Sequence, residues 1–313
     1  MRSTAAAPAM VDSTALLGEG EALRRRLDRD SHLLLRGLLP RADVLDIRAQ
    51  IATALQDKGW IAAGGDPAEA HPGPRACREG GETFPDMYAA VQAMESFHRF
   101  AFHPHLRALA SAVLDAHGDG ELLVYPLKIL RAGLPQDPGF ITPPHQDFPL
   151  IQGTVDVLTM WIPLGDVPAA MGGLRVLRGS HRHGFRRVHG MVGTGGVGVR
   201  VRHDDPRWVA TDFRAGDVLL FHSLTVHGSV PNTTDRLRLS VDFRYQRSDD
   251  AVVDFGLRPH YFPLIPDWDE LTRGWSTAQW IEPPRPMRVV QRFDIVSERR
   301  TPPSRLLSVG GRR

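Results

Sequence analysis

Cysteine, lysine and long apolar runs are nearly absent from this sequence. The 313 residues include one cysteine, Cys77, so no intramolecular disulfide can form, and this usage fits a reducing compartment. No apolar run approaches the roughly 18 residues that a membrane-spanning helix requires. The Ala-rich start of the chain is broken by Asp12, which makes it a weak signal-peptide core. These absences predict a cytoplasmic protein with no membrane segment.

The charged residues are balanced and dispersed along the chain. Lys58 and Lys128 are the only lysines among 38 basic residues, and the arginines alternate with 36 acidic residues to leave a net charge of +2. Nucleic-acid binding calls for clustered positive charge, so the pattern predicts no nucleic-acid partner. Only the last stretch, "SERRTPPSRLLSVGGRR", is locally basic, and its Pro, Ser and Gly content predicts a tail over residues 299–313.

The first third of the chain has helical character. Residues 1–30 predict a frayed tail leading into a short helix, and "HLLLRGLLP" then predicts a buried strand. Apolar residues recur at helical spacing over 42–55, and helical periodicity returns over 88–115 with a break near Pro104. Residues 62–86, rich in Gly, Pro and Glu, form a long loop of the kind that serves as a lid. The apolar face of the first predicted helix comprises Val44, Leu45, Ile47, Ile51 and Leu55.

The character changes after His117, where short β-type runs alternate with Gly/Pro turns. This pattern is typical of an antiparallel sandwich or barrel. It predicts a mainly β fold with flanking helices, a β-rich core at about 121–246, and a Pro-rich remainder that wraps this core. The β-type runs are "ELLVYPLKIL", "VDVLTMWIPL", "GLRVL", "RWVATDF", "DVLLF" and "LRLSVDFRY".

Three His-x-Asp triplets compete for one role. On a strand, residues i and i+2 point to the same face, so such a triplet can offer an imidazole and a carboxylate to one metal ion. Two triplets, His117-Gly118-Asp119 and His203-Asp204-Asp205, lie in Gly-rich or charged segments that predict solvated turns. The third, His145-Gln146-Asp147, lies between apolar strands, so His145 and Asp147 are the predicted metal ligands.

The third ligand is expected from a distant strand. Two histidines and one carboxylate on one face of an octahedron leave three positions for substrate and oxygen, as in non-haem Fe(II) oxygenases. The candidates are His222 and His227, whose separation of five would place them on opposite faces of one continuous strand. The spacing leaves both candidates open.

A strand with one polar and one apolar face follows these histidines. In "DRLRLSVDFRY", the polar face comprises Arg236, Arg238, Ser240 and Asp242, and the other face comprises Leu237, Leu239, Val241 and Phe243. Buried charges are costly unless they bind something, so the polar face either binds an anion or faces solvent. Arginine offers a bidentate grip on a carboxylate such as that of 2-oxoglutarate.

These segments together resemble the phytanoyl-CoA dioxygenase family of Fe(II)/2-oxoglutarate oxygenases. The resemblance covers roughly residues 30–246 and rests on "HQD" at 145–147, "VLTMWIPLGDV", "MGGLRVLRGSHR" and "AGDVLLFHSLTVHGSVPNTTDRLR". It implies a double-stranded β-helix, the cupin-like jelly roll, in a single domain over residues 31–298. It also implies Fe(II) as cofactor, with 2-oxoglutarate and O2 as cosubstrates.

The family pattern also assigns individual residues. Its distal histidine stands directly before Gly-Ser with an arginine eleven residues later, and His227 and Arg238 match both features. The resemblance therefore implies that His145, Asp147 and His227 bind iron and that Arg238 anchors 2-oxoglutarate. The residues that it further suggests around the cosubstrate are Ser229, Trp161, Thr142 and Lys128, the last of which could equally be a surface lysine. His181, His183 and His189 are expected to be exposed in an Arg-rich loop and not to bind zinc.

The implied activity is hydroxylation of a small-molecule substrate, a metabolite or natural-product intermediate, with release of succinate and CO2. The same iron site could catalyse desaturation, epimerisation or ring formation, and a non-catalytic jelly-roll binding protein is the alternative from another class. Asp147 disfavours halogenation, because halogenating relatives place a small residue there. A cupin-like isomerase or hydrolase without 2-oxoglutarate is disfavoured by Arg238, since a buried arginine without an anion is costly. No feature specifies an oligomeric state.

Overall fold

A computed structural model of the chain describes residues 7–117, 121–293 and Leu306. Five helices precede most of the β structure, and two single-turn helices follow. Within the described residues, no helix combines the length and the hydropathy that a bilayer crossing requires. The helices are α1 Gly20–Asp30, α2 Arg41–Asp57, α3 Phe84–Gln92, α4 Glu95–Phe100, α5 Pro104–Leu114, α6 Phe148–Ile151 and α7 Trp268–Leu271.

The strands are short apart from one near the middle of the larger sheet. They are β1 His32–Leu35, β2 Leu122–Val124, β3 Ile129–Gly133, β4 Leu158–Pro163, β5 Leu174–Leu177, β6 Val188–Gly190, β7 Val197–Val199, β8 Trp208–Val209, β9 Val218–His222, β10 His227–Ser229, β11 Arg238–Arg247, β12 Val252–Val253 and β13 Val289–Val290.

The helices follow the predicted periodicity closely. Helix α2 buries Val44, Ile47 and Ile51, but Leu45, predicted on the same face, is 38% exposed. The helical region predicted over 88–115 begins earlier, at Phe84, and is divided into α3, α4 and α5. The last division falls before Pro104, because proline fits the first turn of a helix but not its interior. The predicted long loop has one short 3-10 turn, at Pro67–Glu69.

Two antiparallel sheets form the predicted jelly roll. The larger sheet has the order β1-β9-β4-β11-β2, with β3 also paired to β11, and the smaller has the order β10-β5-β8. Trp161 and Phe221 from the larger sheet pack against Leu174 and Val176 from the smaller. The outer face of the larger sheet packs against helices α1 to α5 in the main hydrophobic core. The inner face of the larger sheet, where the predicted metal and cosubstrate residues lie, is therefore not covered by these helices.

Strand β11 carries both faces of this arrangement. Leu239, Val241 and Phe243 enter the helix-side core, whereas Arg238, Ser240 and Asp242 point between the sheets and are at most 6% exposed. The alternative that this polar face meets solvent is therefore wrong. Arg236 does not share it: this residue precedes β11, is 44% exposed and forms an ion pair with Glu69.

The ends of the described chain pack on the core. Asp12 bridges to Leu34 and Ala9 to Ala210, and the buried Met10 joins the inter-sheet cluster, so this part of the predicted tail is held in place. The short helix predicted next is α1. At the other end, β12 pairs with β13 in parallel, and the predicted basic tail lies outside the described residues except for Leu306. The division of the chain into tail, domain and tail remains a prediction.

Candidate active site

Three predicted metal ligands meet between the sheets. His145 pairs with His227 through two backbone hydrogen bonds, His145 N to His227 O at 2.8 Å and the reverse at 3.0 Å. The Asp147 Oδ1 atom lies 3.6 Å from His145 Nε2 and 3.9 Å from His227 Nε2. The potential ligand atoms all lie within 4.8 Å of one another, and each residue is at most 7% exposed.

Hydrogen bonds to the backbone orient both imidazoles. Nδ1 of His145 donates to the Pro143 carbonyl at 2.9 Å, and Nδ1 of His227 donates to the Thr225 carbonyl at 3.0 Å. These bonds place the proton on Nδ1 and turn Nε2, with its lone pair, toward Asp147. The donor set of two imidazole nitrogens and one carboxylate oxygen is the one that Fe(II) takes in non-haem oxygenases, so the residues fit that ion.

The protonation states also favour a divalent cation. Burial lowers the pKa of His145 to about 3 and lowers the pKa of His227. Burial would raise the pKa of Asp147, but the Arg244 guanidinium and the two histidines outweigh it and hold that pKa well below its ordinary value. At neutral pH the site therefore offers two neutral imidazoles and one carboxylate, and no proton has to leave before a metal binds.

The competing histidines lie elsewhere. His203 is exposed and contacts Arg175, and His117 is exposed beside Asp115, whereas Gly118 and Asp119 lie outside the described residues. His222 continues the face of β9 that packs toward the helices, with its Nε2 3.6 Å from an Asp156 oxygen. In the described part of the chain, the only cluster of metal-binding side chains is that of His145, Asp147 and His227.

The histidines of the Arg-rich loop differ from one another in burial. His181 is 1% exposed, so the expectation of an exposed side chain was wrong for it, while His183 is exposed and His189 is half-buried. Burial lowers the pKa of His181 to about 4.

Arg238 lies on the inner face of β11, opposite Gly133. A Cβ at position 133 would lie 3.2 Å from Arg238 Nε, so the glycine makes room for the guanidinium. Arg238 Nη1 donates to Ser240 Oγ at 2.9 Å, its Cζ lies 5.9 Å from the Trp161 ring centre, and no carboxylate of the described residues forms an ion pair with it. Burial lowers its pKa to about 10. Among the described residues, the buried guanidinium therefore has no carboxylate in an ion pair with it.

A narrow cavity joins this guanidinium to the metal ligands. Its walls include His145, His227, Trp161, Thr142 and Arg238. The indole Nε1 of Trp161 is buried and has no hydrogen-bond partner in the described part of the chain. The cavity thus presents metal ligands at one end and unpaired donors at the other.

Ser229 and Lys128, the other predicted residues, differ in position. Ser229 Oγ accepts a hydrogen bond from the Thr142 backbone N at 2.9 Å, which ties β10 to the segment before His145. Lys128 is fully buried, so it is no surface lysine, but it points away from the cavity. Its Nζ donates to the Trp280 carbonyl at 2.8 Å and lies 5.6 Å from the Phe102 ring centre. The structure does not bring Lys128 to the site.

Two arginines of the site were missed in the sequence. Arg244 donates to Asp147 Oδ2, from Nη2 at 3.1 Å and from Nε at 3.3 Å, and Arg131 Nε donates to Asp242 Oδ2 at 2.9 Å. Arg244 extends the even-numbered polar face of β11, so alternation could have found it. Arg131 lies on β3, and only the register between β3 and β11 places it opposite that face.

A second cavity opens beyond Arg131 and Thr142. Aromatic side chains, among them Trp60, Phe84 and Tyr261, line it, and Cys77, Arg78 and Glu79 come from the predicted lid loop. Arg78 forms a two-bond ion pair with Asp137, with both N to O distances 2.6 Å, and Glu79 accepts from Gly195 N at 3.0 Å. The loop thus covers the cavity and is tied to two neighbouring segments.

A jelly roll with a buried His-x-Asp pair, a distal histidine and a buried inner arginine defines the class of non-haem iron, 2-oxoglutarate-dependent oxygenases. Residues 28–240 match the family model described as phytanoyl-CoA dioxygenase (PhyH). The 1-deoxypentalenic acid 11-beta-hydroxylase of Streptomyces exfoliatus is 31% identical over 260 residues, which cover 75% of this chain and 84% of that protein. Its namesake from Streptomyces arenae is 29% identical over 258 residues, with the same coverage.

The fold has solved counterparts. The structure of the epimerase SnoN from nogalamycin biosynthesis superposes with a TM-score of 0.53 at 24% identity, and covers 74% of this chain and 85% of that one. The chain belongs to the phytanoyl-CoA dioxygenase family. It is an oxidoreductase with Fe(II) as its metal and 2-oxoglutarate and O2 as its cosubstrates.

Proposed function

We propose that His145, Asp147 and His227 bind Fe(II), and that Arg238 binds the distal carboxylate of 2-oxoglutarate in an enzyme that hydroxylates a small carboxylic acid. The convergence of three buried ligand atoms within 4.8 Å, with the remaining histidine nitrogens held by backbone carbonyls, carries the proposal. The unpaired guanidinium of Arg238 along the same cavity supports the cosubstrate position.

Each residue has a separate task. The bound iron supplies the oxidative chemistry, in which decarboxylation of 2-oxoglutarate by O2 is coupled to hydroxylation of a substrate carbon with release of succinate and CO2. Arg238 neutralises and orients the cosubstrate, while the Trp161 indole N–H and the Ser229 hydroxyl, tied to Thr142, are further polar groups at its pocket. The apolar side chains of Phe221 and Leu174 line the cavity and help to exclude water from it. Lys128 has no part in cosubstrate binding in this proposal.

An acidic substrate fits the charges between the sheets. Arg131, Arg238 and Arg244 carry three positive charges there, whereas Asp147 and Asp242 carry two negative charges, which leaves one positive charge in excess. Fe(II) and the 2-oxoglutarate dianion cancel each other, so a monoanionic substrate would neutralise the interior. The Streptomyces relatives are named for a carboxylic acid, which supports the same substrate class.

The metal assignment is tested by single substitutions. His145→Ala, Asp147→Ala and His227→Ala should each abolish Fe(II)-dependent succinate formation and weaken metal binding. His203→Ala, which alters the exposed histidine of a competing triplet, should leave both unchanged. Loss of succinate formation in His203→Ala, with retention in His145→Ala, would show that the wrong triplet had been chosen.

The substrate class is tested with one acid and its neutral derivative. 1-Deoxypentalenic acid should stimulate succinate formation and gain one oxygen atom, and its methyl ester should do neither. Equal stimulation by the ester would reject recognition of a carboxylate. A product that has lost two hydrogens without gaining oxygen would show that the reaction is desaturation and not hydroxylation.

The cytoplasmic location expected from the composition remains a prediction.

A further inference from the structure

The two oxygens of the Asp147 carboxylate have different surroundings. Oδ1 faces the two histidine Nε2 atoms, whereas Oδ2 accepts a hydrogen bond from Thr159 Oγ1 at 2.6 Å and two from Arg244. Thr159 and Arg244 are directly paired across β4 and β11, so two neighbouring strands present their donors to the same atom. The exposed fractions of the Arg244 and Asp147 side chains are 4% and 2%.

Arg244 has no competing carboxylate in the described part of the chain. Asp242, the nearest acid on the same face of β11, is held by Arg131 across β3. Within the described residues, the one ion pair of Arg244 is with Asp147, and its Nη1 atom is buried without a hydrogen-bond partner. The side chain is therefore committed to one oxygen of one metal ligand.

We propose that Arg244 is a positioning residue that restricts Asp147 to coordinating the metal through Oδ1 alone. This inference rests on the proposed function. Carboxylates bind metals through one or both oxygens. Turning Oδ2 toward the metal would break three charge-assisted hydrogen bonds, two of them from Arg244, inside a buried site where such bonds are strong. Three open metal positions then remain for 2-oxoglutarate and O2, whereas a two-oxygen aspartate would occupy one of them.

The alternative is that Arg244 only compensates the buried charge of Asp147. Lysine would do the same, because it carries the same charge, but it lacks the planar pair of N–H groups that Arg244 directs at Oδ2. Arg244→Lys therefore separates charge compensation from positioning. Arg175→Lys is a matched control, since Arg175 is half-buried on β5 and stacks 4.3 Å from the Trp208 ring centre, outside the cavity.

Mn(II) is the probe, because the water-proton relaxation of the Mn(II)-loaded protein reports the number of metal-bound waters. Arg244→Lys should lower the relaxation enhancement per bound Mn(II) by about one third, as one of three open positions closes. It should also weaken Mn(II) binding about tenfold or more, the usual cost of losing a hydrogen-bond partner of a metal ligand. Arg175→Lys should change neither quantity.

The outcomes separate this inference from the function on which it rests. If Arg244→Lys keeps the wild-type enhancement and affinity, Arg244 is only a counter-charge and the inference is wrong, even though His145→Ala abolishes Mn(II) binding. If His145→Ala binds Mn(II) as the wild type does, both the metal site and this inference are rejected. Should Arg244→Lys fail to fold, Arg244→Gln is read by the same criteria, with the enhancement again deciding.

Discussion

Arg238→Met should weaken 2-oxoglutarate binding and stabilise the ligand-free protein at the same time. Arg238 is 6% exposed, and its guanidinium is hydrogen-bonded to Ser240 and free of any carboxylate partner in the described residues. A buried charge that awaits an anion destabilises the protein until the anion binds. Removing the charge should therefore have opposite effects on stability and on affinity.

The size of both effects, on the affinity for 2-oxoglutarate and on the stability of the ligand-free protein, follows from the surroundings of Arg238. Losing one partner of a buried, hydrogen-bonded charge pair costs roughly 2–4 kcal/mol, so the Kd of 2-oxoglutarate should rise about 30- to 700-fold. Burial lowers the pKa of Arg238 from its ordinary value to about 10, so the buried charge costs roughly 3 kcal/mol. Losing the bond to Ser240 costs about 1 kcal/mol. The ligand-free protein should gain about 2 kcal/mol, or a few degrees in Tm.

Two measurements check this prediction. Anaerobic titration of the Fe(II)-loaded protein gives the Kd through the visible charge-transfer band of the chelate, and thermal unfolding with and without 2-oxoglutarate gives both stabilities. Arg238→Lys should show an intermediate Kd, and Arg175→Met should bind 2-oxoglutarate as the wild type does. Binding by Arg238→Met within threefold of the wild type would refute the cosubstrate assignment, and a fall in ligand-free Tm would refute the argument on the unpaired charge.

Three further predictions concern residues outside the metal centre. Lys128→Met should leave the Kd of 2-oxoglutarate within about twofold of the wild-type value. It should not lower the Tm, because burial lowers the pKa of this amine well below its ordinary value and makes its charge costly. A large increase in Kd would show that Lys128 does contact the cosubstrate. Burial likewise lowers the pKa of His98 well below 6.5, so the unfolded chain binds a proton that the folded one does not, and stability is lost as the pH falls through 6.5. His98→Leu should flatten this loss by up to about 1.4 kcal/mol per pH unit in urea titrations, and an unchanged slope would contradict the assignment. Arg78→Ala and Asp137→Ala should each change the free energy of unfolding by less than about 0.5 kcal/mol but raise succinate formation in the absence of substrate. The double variant should show no further rise, because both substitutions break the same ion pair. If succinate formation without substrate is unchanged, the loop is no lid.

Several site residues were predictable because successive side chains of a strand point to opposite faces of the sheet. Leu239 and Val241 had to face one core, and Arg238 and Asp242 the other side, once β11 formed. His145 and Asp147 also converge, but not through strand alternation as predicted, because His145 lies in an isolated bridge to His227 and Asp147 is the N-cap of α6 with helical backbone angles. The odd separation of His222 and His227 did not decide between them, because they lie on different strands: His222 ends β9 on its helix-side face, and His227 begins β10 and faces the cavity.

Other features depended on contacts between distant segments. Arg244 and Asp147 are 97 residues apart, and Arg131 and Asp242 are 111 apart, so neither pair leaves a local signal in the sequence. Lys128 was predicted near the cosubstrate on the strand that precedes the metal-site segment, but its side chain packs under the C-terminal segment at Trp280. Leu45 and Arg236 show the same limit: each has the periodicity of a buried face and lies just beyond the packed surface.

The sequence by itself determined the chemistry available to this protein: the jelly-roll strands, the His-x-Asp pair, the distal histidine before Gly-Ser and the arginine eleven residues later. Local alternation and turn residues are sufficient for these features, because they depend on neighbours within one strand or loop. Only the tertiary structure decided which charges are paired. Strand register pairs Arg244 with Thr159 and brings Arg131 beside Asp242, and the segment before α6 places Asp147 against Arg244. Arg238 is left as the buried guanidinium without a carboxylate partner in the described chain. The pairing of charges depends on distances across the sheet, and these distances exist only after the chain has folded.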